Sequence, residues 1–333
     1  MVAISEIRGQ LATVQNLGPG LVAVFVGGTS GIGLSTARQF TRHATSPHIY
    51  LIGRNEAQAS EIISELRTIN KSATVDFIKR DISLLKNVDI ACQEIIKKES
   101  KVNLLFLSAG ILTTQGRTET PEGLDRKLSL HYYARMRFIT NLLPSLTHSA
   151  SSGHLSRVIS VFSPGNEGKL IENDLDLKQN YSLSNAAAHG STMTSLAMMH
   201  FAAAHPSISF VHSRPGGVNT NLLRDFNPIL RGLTSGILAM VTPVCSSMGL
   251  LSVKESGERH VFAATSGLFA PREERVETVG ADGVKGSGAY RVDYDSEIVE
   301  GKGELLREYL GRGVGEKVWE HTRGVFEKVV GNQ

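Results

Sequence analysis

The segment GGTSGIGLSTARQF (residues 27–40) constrains the fold more than any other part of this sequence. It follows a continuous apolar run, LVAVFV (21–26), that is typical of a buried β-strand, and it leads into a helical pattern. Glycines at such a turn let the backbone approach a pyrophosphate, whose charge the free amide groups and the helix dipole stabilise. The segment therefore predicts a dinucleotide-phosphate loop rather than a glycine-rich turn without ligand. The predicted contacts are Gly27, Thr29, Ser30, Gly31, Ile32 and Gly33.

Further short apolar runs alternate with helical patterns along the chain. They are HIYLI (48–52), TVDFI (74–78), NLLFLS (103–108), RVISVF (157–162) and ISFVHS (208–213). Because these runs are continuously apolar and do not alternate with polar residues, they are typical of strands covered on both faces. Strands that alternate with helices predict an α/β fold with a doubly wound parallel sheet.

The chain shows no internal repeat and no linker, so a single domain over residues 1–333 is predicted. Within it we expect a core at 20–222, a substrate cover at 223–265 and a C-terminal closing segment at 266–333. VKESGERHVFAAT (253–265) is typical of a core helix, and GAYRVDY (288–294) of an edge strand. One or two amphipathic helices are expected after it, with Trp319 as a packing residue.

The composition excludes some partners and compartments. The net charge of +3 is spread along the chain, so no nucleic-acid partner is predicted. The N-terminal residues lack the apolar block of a secretory signal, and no uncharged run is long enough to span a membrane. Cys92 and Cys245 lie far apart without metal-ligand spacing. Two free thiols, no metal site and a cytoplasmic location are therefore predicted.

An arginine follows the second predicted strand in LIGRN (51–55). An acidic residue at this place would accept hydrogen bonds from the adenosine ribose of NAD, whereas an arginine suits the 2′-phosphate of NADP. Arg54 therefore favours NADP(H) over the alternative of a solvated surface arginine.

Together these segments resemble the short-chain dehydrogenase/reductase family over about residues 20–222. GGTSGIG is similar to the family's glycine motif, with Val26 where a threonine often stands. The resemblance implies a Rossmann-like fold and further contacts with the dinucleotide. These implied contacts are Asp81 and Ile82 after the third strand, Ser108, Ala109 and Gly110 after the fourth, and Pro215, Gly216, Val218 and Thr220 in RPGGVNT. Ser108 stands where the family has an asparagine that braces the sheet.

The family's chemistry uses a serine, a tyrosine and a lysine four residues after the tyrosine. RVISVFSPG (157–165) places Ser163 at the family's serine position. In NYSLSNAAAHG (180–190) the tyrosine position is ambiguous. Read directly, the pair is Tyr181 and Asn185, whereas counting back from Pro215 gives Asn185 and His189. Because four residues advance a helix by about 400°, these three residues are expected on one helical stripe. Neither register contains a lysine.

The asparagine that many family members carry on the preceding helix aligns with His131 in GLDRKLSLHYYARMRF (123–138). The lysine and its asparagine partner, which relay a proton in the family, are therefore both absent. Tyr181 is expected to donate the proton, the alternative being a tyrosine that packs the start of its helix. For His131 and His189 two interpretations stay open, a replacement proton donor and a structural histidine.

The segment 221–251, NLLRDFNPILRGLTSGILAMVTPVCSSMGLL, is long and weakly charged. In the family the corresponding segment covers the substrate, so an apolar cover implies a lipophilic small molecule. A core or homodimer-interface helix pair and a peripheral membrane contact are alternatives. YSLSNAAAHGSTMTSLAMM (181–199) and PSISFVHSRPGGVNT (206–220) resemble a subgroup from filamentous fungi, many of which belong to secondary-metabolite pathways.

The predicted function is that of an NADP(H)-dependent oxidoreductase in biosynthesis, which reduces a carbonyl or oxidises an alcohol of a lipophilic natural product. Two alternatives stay open. One is a non-redox isomerase, dehydratase or cyclase with an atypical acid–base site on the same fold. The other is a nucleotide-binding protein without turnover.

Overall fold

The computed structural model describes residues 1–218 and 250–331, in which parallel strands form a sheet with helices on both faces. The strands are β1 (Val22–Val26), β2 (His48–Gly53), β3 (Thr74–Lys79), β4 (Leu104–Leu107), β5 (Arg157–Val161), β6 (Ser209–Ser213), β7 (Gly217–Val218), β8 (Leu250–Leu251) and β9 (Ala289–Val292). Within these residues, seven strands pair in the order β3-β2-β1-β4-β5-β6-β9, always in parallel. The short strands β7 and β8 pair separately.

Every predicted apolar run contains a strand, and the predicted doubly wound α/β sheet is confirmed. These runs are apolar throughout because both faces of the strands are buried. In β1, Val24 belongs to the apolar core on one face of the sheet, whereas Phe25 belongs to the core on the other face. A strand that is buried on both faces has no position left for a polar side chain, so its sequence is apolar throughout.

The helices are α1 (Ile4–Leu11), α2 (Gly31–His43), α3 (Glu56–Ile69), α4 (Leu85–Ile96), α5 (Ala134–Ser151), α6 (Leu183–Ala204), α7 (Val253–Thr265), α8 (Gly303–Gly311) and α9 (Val314–Val330). A helical turn (Arg126–Leu128) and a π-helical turn (Ser129–Tyr133) lead directly into α5. Short 3₁₀ turns occupy Val14–Leu17, Gly267–Phe269 and Arg272–Glu274. Helices α1, α2, α3 and α7 cover one face of the sheet, and α4, α5, α6, α8 and α9 cover the other.

The strand order places a crevice at the centre of the sheet. From β1 the chain moves outward to β2 and β3, and it then returns to place β4 on the other side of β1. The loops that follow β1 and β4 therefore separate towards opposite faces at the carboxyl edge. Ligands of open parallel sheets bind at this kind of switch point.

Helix α9 closes the face formed by α5 and α6. The Trp319 ring lies 4.8 Å from the Phe201 ring and 5.3 Å from the His200 ring, between centroids. The hydroxyl groups of Tyr132 and Thr322 are 2.7 Å apart, so the π-helical turn is joined to α9 by a hydrogen bond. The packing role predicted for Trp319 and the predicted terminal helices are confirmed.

Other predictions about the C-terminal part have mixed outcomes. Strand β9 is the predicted edge strand, and α7 is the predicted core helix, packed against α2. Residues 253–265, the last part of the predicted substrate cover, form α7 and are mostly buried. Residues 223–249 of the predicted cover, including Cys245, lie outside the described residues.

Cys92 is free and buried on α4, as predicted. Among residues 1–218 and 250–331, no helix has both the length and the apolar character that a membrane span requires. In the same part of the chain no cluster of side chains has the composition of a metal site.

Candidate active site

The glycine loop between β1 and α2 has the geometry of an anion site. Gly27 and Gly31 have φ angles of +87° and +54°, in the region that favours glycine. Ser30, in an extended conformation, precedes the first residue of α2, and its side chain does not cap the helix. Ser30 therefore leaves the N–H groups of the first turn of α2 available, and these groups can bind a phosphate.

Gly33 brings this loop against the chain that follows β4. A Cβ atom built on Gly33 would lie 2.5 Å from the carbonyl oxygen of Gly27 and closer still to the hydroxyl of Ser108. Any side chain at this position would thus displace the loop. Ser108 donates a hydrogen bond of 3.3 Å to the carbonyl of Val26, so it joins the ends of β4 and β1, where the family has an asparagine.

The predicted adenosine side follows β2 and β3. Arg54 is exposed directly after β2, and Thr29 of the glycine loop packs against Gly53 beside it. The Asp81 carboxylate accepts hydrogen bonds from the backbone N–H of Ser83 at 3.0 Å and from its hydroxyl at 2.8 Å. Asp81 therefore shapes the turn after β3, and Ile82 next to it is buried.

Arg135 holds the carboxyl ends of β4 and β5 together, a role that sequence reasoning missed. Its guanidinium donates to the carbonyl of Ala109 at 2.8 Å, the carbonyl of Val161 at 2.7 Å and the hydroxyl of Ser160 at 2.9 Å. It also donates to Leu130, in the π-helical turn. Burial lowers the pKa of Arg135 to about 9, so the group stays charged at neutral pH. No carboxylate among the described residues forms an ion pair with it.

His131 lies in the π-helical turn, a local geometry that is frequent at functional sites. Its Nε2 atom accepts a hydrogen bond of 3.2 Å from the N–H of Ile111, so the ring proton resides on Nδ1. The ring stands 4.7 Å from the ring of Phe162. Burial, and next the charge of Arg135, lower the pKa of His131 to about 3. His131 is therefore neutral near pH 7 and can donate a hydrogen bond through Nδ1, but it is not an imidazolium acid.

Ser163 follows β5 at the carboxyl edge of the sheet. Its hydroxyl oxygen accepts a hydrogen bond of 2.7 Å from the side-chain amide of Asn166. Since that bond uses a lone pair, the Ser163 O–H proton is free to be donated to another oxygen. The backbone N–H of Ser163 points at Nε2 of His212 on β6, 3.4 Å away.

A buried polar chain continues from His212 and fixes this backbone. Because Nε2 of His212 is the acceptor, Nδ1 carries the proton and donates to the hydroxyl of Ser195, 2.9 Å away. Ser195 donates in turn to Glu167 at 2.8 Å, and Glu167 forms an ion pair with Arg291 of β9 at 3.3 Å. Burial, before the charges of Arg135 and Arg291, lowers the pKa of His212, which keeps the ring neutral. The serine loop is thus attached to the edge strand.

The prediction that Tyr181 shares a helical stripe with Asn185 and His189 is wrong. Ser182 caps α6 by accepting a hydrogen bond of 3.0 Å from the N–H of Asn185, so Tyr181 lies before the helix. Asn185 donates its amide to the carbonyl of Asn180. The Tyr181 hydroxyl is buried without a hydrogen-bond partner among the described residues. Burial raises the pKa of Tyr181 to about 12.

His189 has a structural position. Its Nε2 accepts from the N–H of Ile171 at 3.0 Å, and its Nδ1 donates to the carbonyl of Leu175 at 3.2 Å. Both ring nitrogens thus hold the loop before α6. At Gly190 the helix instead faces the site: a Cβ there would lie 3.0 Å from the Phe162 ring and 3.9 Å from Cβ of His131. The ring of Phe162 fills the place that a side chain at 190 would occupy.

The segment after β6 lies at the same edge of the sheet. Gly216 has a φ angle of +69°, and Val218 belongs to β7, which pairs with β8. Arg214, just before Pro215, forms an ion pair with Asp293 after β9 and so fixes the start of the segment. Thr220 lies outside the described residues.

Comparisons with known proteins agree with this geometry. A model of the short chain dehydrogenase family matches residues 21–229. An oxidoreductase of Emericella nidulans is 40% identical over 340 residues, which cover 99% of each chain. The oxidoreductase andH of Emericella variicolor is 36% identical over 345 residues, which cover 100% of this chain and 99% of the relative. The predicted resemblance to fungal proteins is thereby confirmed.

Solved structures share the fold at low sequence identity. An NADPH-bound carbonyl reductase from chicken fatty liver has a TM-score of 0.55 and 16% identity, over 84% of this chain and 99% of that chain. A protein from Mycobacterium paratuberculosis has a TM-score of 0.60 and 15% identity, over 93% and 95% of the two chains.

Proposed function

The chain belongs to the short-chain dehydrogenase/reductase family of oxidoreductases, and within that family we propose that it is an NADP(H)-dependent enzyme acting on a carbonyl or alcohol of a lipophilic natural product. The observation that carries the proposal is the glycine loop, which closes against Ser108 at Gly33 and in which the Ser30 side chain does not cap α2. This geometry fits the diphosphate of a dinucleotide. When bound, the nicotinamide would supply or accept the hydride.

Ser163 would bind the substrate oxygen. Asn166 occupies one lone pair of its hydroxyl, so the O–H is directed to another acceptor, and His212 holds its backbone in place. The donated hydrogen bond would stabilise negative charge on the oxygen as hydride arrives. The sequence predicted Tyr181 as the proton source. Because Tyr181 precedes α6 and its pKa is raised, we favour a water hydrogen-bonded to Ser163.

Arg54 would select NADP(H) by pairing with the 2′-phosphate. We expect the protein to bind NADPH at least about tenfold more tightly than NADH, since a guanidinium–phosphate pair supplies about 1.4 kcal/mol or more. Arg54→Asp should reverse this preference. The measurement is a fluorescence titration with each nucleotide. Arg323→Asp makes the same charge change at an exposed position of α9 and should leave the preference unchanged. Equal affinity of the wild type for both nucleotides would refute the assignment.

Ser163→Ala should lower kcat/KM by about 100-fold, because the reacting oxygen loses its donor. NADPH affinity should not change. Turnover is measured as loss of NADPH absorbance with a panel of lipophilic ketones, and the exposed Ser184→Ala on α6 is the matched control.

Product analysis with nucleotide-stripped protein separates this redox chemistry from the isomerase, dehydratase or cyclase alternative. The neutral His131, whose Nδ1 proton has no acceptor in the described part of the chain, is the observation that favours that alternative. Conversion without NADPH consumption, lost in His131→Gln, would support it against the redox reaction. Tight NADPH binding without any turnover would favour the nucleotide-binding alternative.

A further inference from the structure

Three buried hydrogen-bond donors that have no partner among residues 1–218 and 250–331 belong to the loop that follows β4 and to the turn before α6. They are the Nε and Nη2 atoms of Arg117 and the hydroxyl of Tyr181. Lys127 connects the two residues, since its Nζ donates to the carbonyl of Gly116 at 2.8 Å and lies 5.4 Å from the centroid of the Tyr181 ring. After burial, the charge of Asp125 raises the pKa of Tyr181, and the charge of Arg117 lowers it to a smaller extent. Both residues therefore belong to one polar cluster.

The backbone around Arg117 is held on both sides. Lys127 binds the carbonyl of Gly116, before it. The N–H of Thr118, after it, donates to Asp125 at 3.1 Å, and the carbonyl of Thr118 accepts from the N–H of Arg126 at 2.8 Å. On the guanidinium, Nη1 pairs with Glu119. The opposite edge, formed by Nε and Nη2, is the one that binds a carboxylate through two parallel hydrogen bonds.

Tyr181 is held equally firmly. The carboxylate of Asp174 accepts from the backbone N–H groups of Lys178, Gln179 and Asn180 at 2.8, 3.0 and 2.8 Å. Asn185 binds the carbonyl of Asn180 from the first turns of α6. This turn fixes the ring of Tyr181 ahead of the helix. Its hydroxyl remains a donor without an acceptor among the described residues.

Glu119 pairs with the Nη1 side of Arg117, but no carboxylate among the described residues reaches its Nε and Nη2 atoms. Asp125 accepts from the N–H groups of Thr118, Lys127 and Leu128, and Asp174 is occupied by the turn before Tyr181. Buried donors without partners are rare in folded proteins, so a cluster of them points to a missing acceptor. A carboxylate has the negative charge and the two acceptor oxygens that such donors lack.

We propose that Arg117 and Tyr181 bind a carboxylate of the substrate. Both residues border the carboxyl edge of the sheet, one after β4 and the other before α6. The inference rests on the proposed function, which places the substrate at that edge, and it adds a substrate class: lipophilic carboxylic acids. Arg117 provides two parallel hydrogen bonds, Tyr181 provides a third, and Lys127 adds positive charge.

The test compares decanoate with decanol, which share an alkyl chain and differ in the carboxylate. Binding to the NADP⁺-saturated protein is measured by calorimetry. Decanoate should bind at least about tenfold more tightly, since hydrogen bonds to charged groups are the strong ones. Arg117→Met should weaken decanoate binding by about 10- to 100-fold and leave decanol binding unchanged. Arg117→Lys keeps the charge but not the two parallel N–H donors, so it should weaken decanoate binding less than Arg117→Met does. Tyr181→Phe should cost about three- to tenfold.

Arg323→Met, on the exposed face of α9, is the matched control and should bind both ligands as the wild type does. Thermal melting identifies any variant that fails to fold. If Arg117→Met does not fold, the decanoate affinities of Arg117→Lys and Tyr181→Phe test the proposal. Equal affinity for decanoate and decanol, or unchanged decanoate affinity in folded Arg117 variants, would overturn the proposal. The same titrations are repeated without nucleotide. If the protein does not bind NADP⁺, the proposed function is refuted, but the comparison of decanoate with decanol still tests the carboxylate site.

Discussion

Gly33→Ala is expected to weaken NADPH binding by at least about 100-fold, equivalent to about 2.7 kcal/mol. The new methyl group would overlap the Ser108 hydroxyl and the carbonyl of Gly27. Ser108 can rotate away, but the Gly27 carbonyl belongs to the backbone of the phosphate turn. Relief of the overlap must therefore move the N–H groups that we propose bind the diphosphate. Fluorescence titration with NADPH, and the rise in melting temperature on adding NADPH, measure the loss.

Gly324→Ala provides the matched control for this experiment. Gly324 lies in α9, where nothing occupies the 4 Å around a Cβ atom. Alanine there should stabilise the helix by up to about 1 kcal/mol and leave NADPH affinity unchanged. If Gly33→Ala bound NADPH as tightly as Gly324→Ala, the proposal that the loop around Gly33 binds the diphosphate would be refuted.

Arg135→Met is expected to lower the free energy of unfolding by on the order of 3 kcal/mol or more. Methionine fills much of the volume, but it leaves the carbonyls of Ala109, Val161 and Leu130 without their donor in a buried place. Removing a buried cation recovers some desolvation energy, which offsets part of the loss. Urea unfolding measures the change as a lower midpoint at an unchanged slope.

Two further variants separate the hydrogen bonds of Arg135 from its volume and charge. Arg135→Lys keeps the charge and should recover only part of the stability, since one ammonium cannot reach acceptors on three elements. Met136→Leu changes a fully buried neighbour at nearly constant volume and should cost less than about 1.5 kcal/mol. An Arg135→Met protein as stable as Met136→Leu would contradict the bracing role.

The sheet could be predicted from the sequence because burial on both faces leaves a local signature, an unbroken apolar run. The residue at which α6 begins could not be predicted from the sequence. The expected stripe assumes that the helix already includes Tyr181, whereas the helix begins where Ser182 caps it, after a turn that Asp174 shapes. Residue spacing alone does not reveal such a turn, and Tyr181 consequently fell outside the expected stripe.

Long-range polar contacts were missed for a related reason. Arg135 bonds to residues that lie 26 positions away along the chain, and the chain from His212 reaches Glu167 and Arg291. A signal was present in each case: a polar residue inside an apolar pattern, Arg135 in YYARMRF and His212 in ISFVHS. Such residues need buried partners, but one sequence does not identify them.

The ion pair between Glu167 and Arg291 has a consequence for anyone who builds chimeras from relatives of this protein. Both side chains are almost inaccessible, at 0% and 6% exposure, and one belongs to the serine loop while the other belongs to the edge strand. A chimera with its crossover between these two positions would combine residue 167 of one parent with residue 291 of the other. Since a lone buried charge is strongly destabilising, grafts of the C-terminal portion must transfer the two positions as one unit.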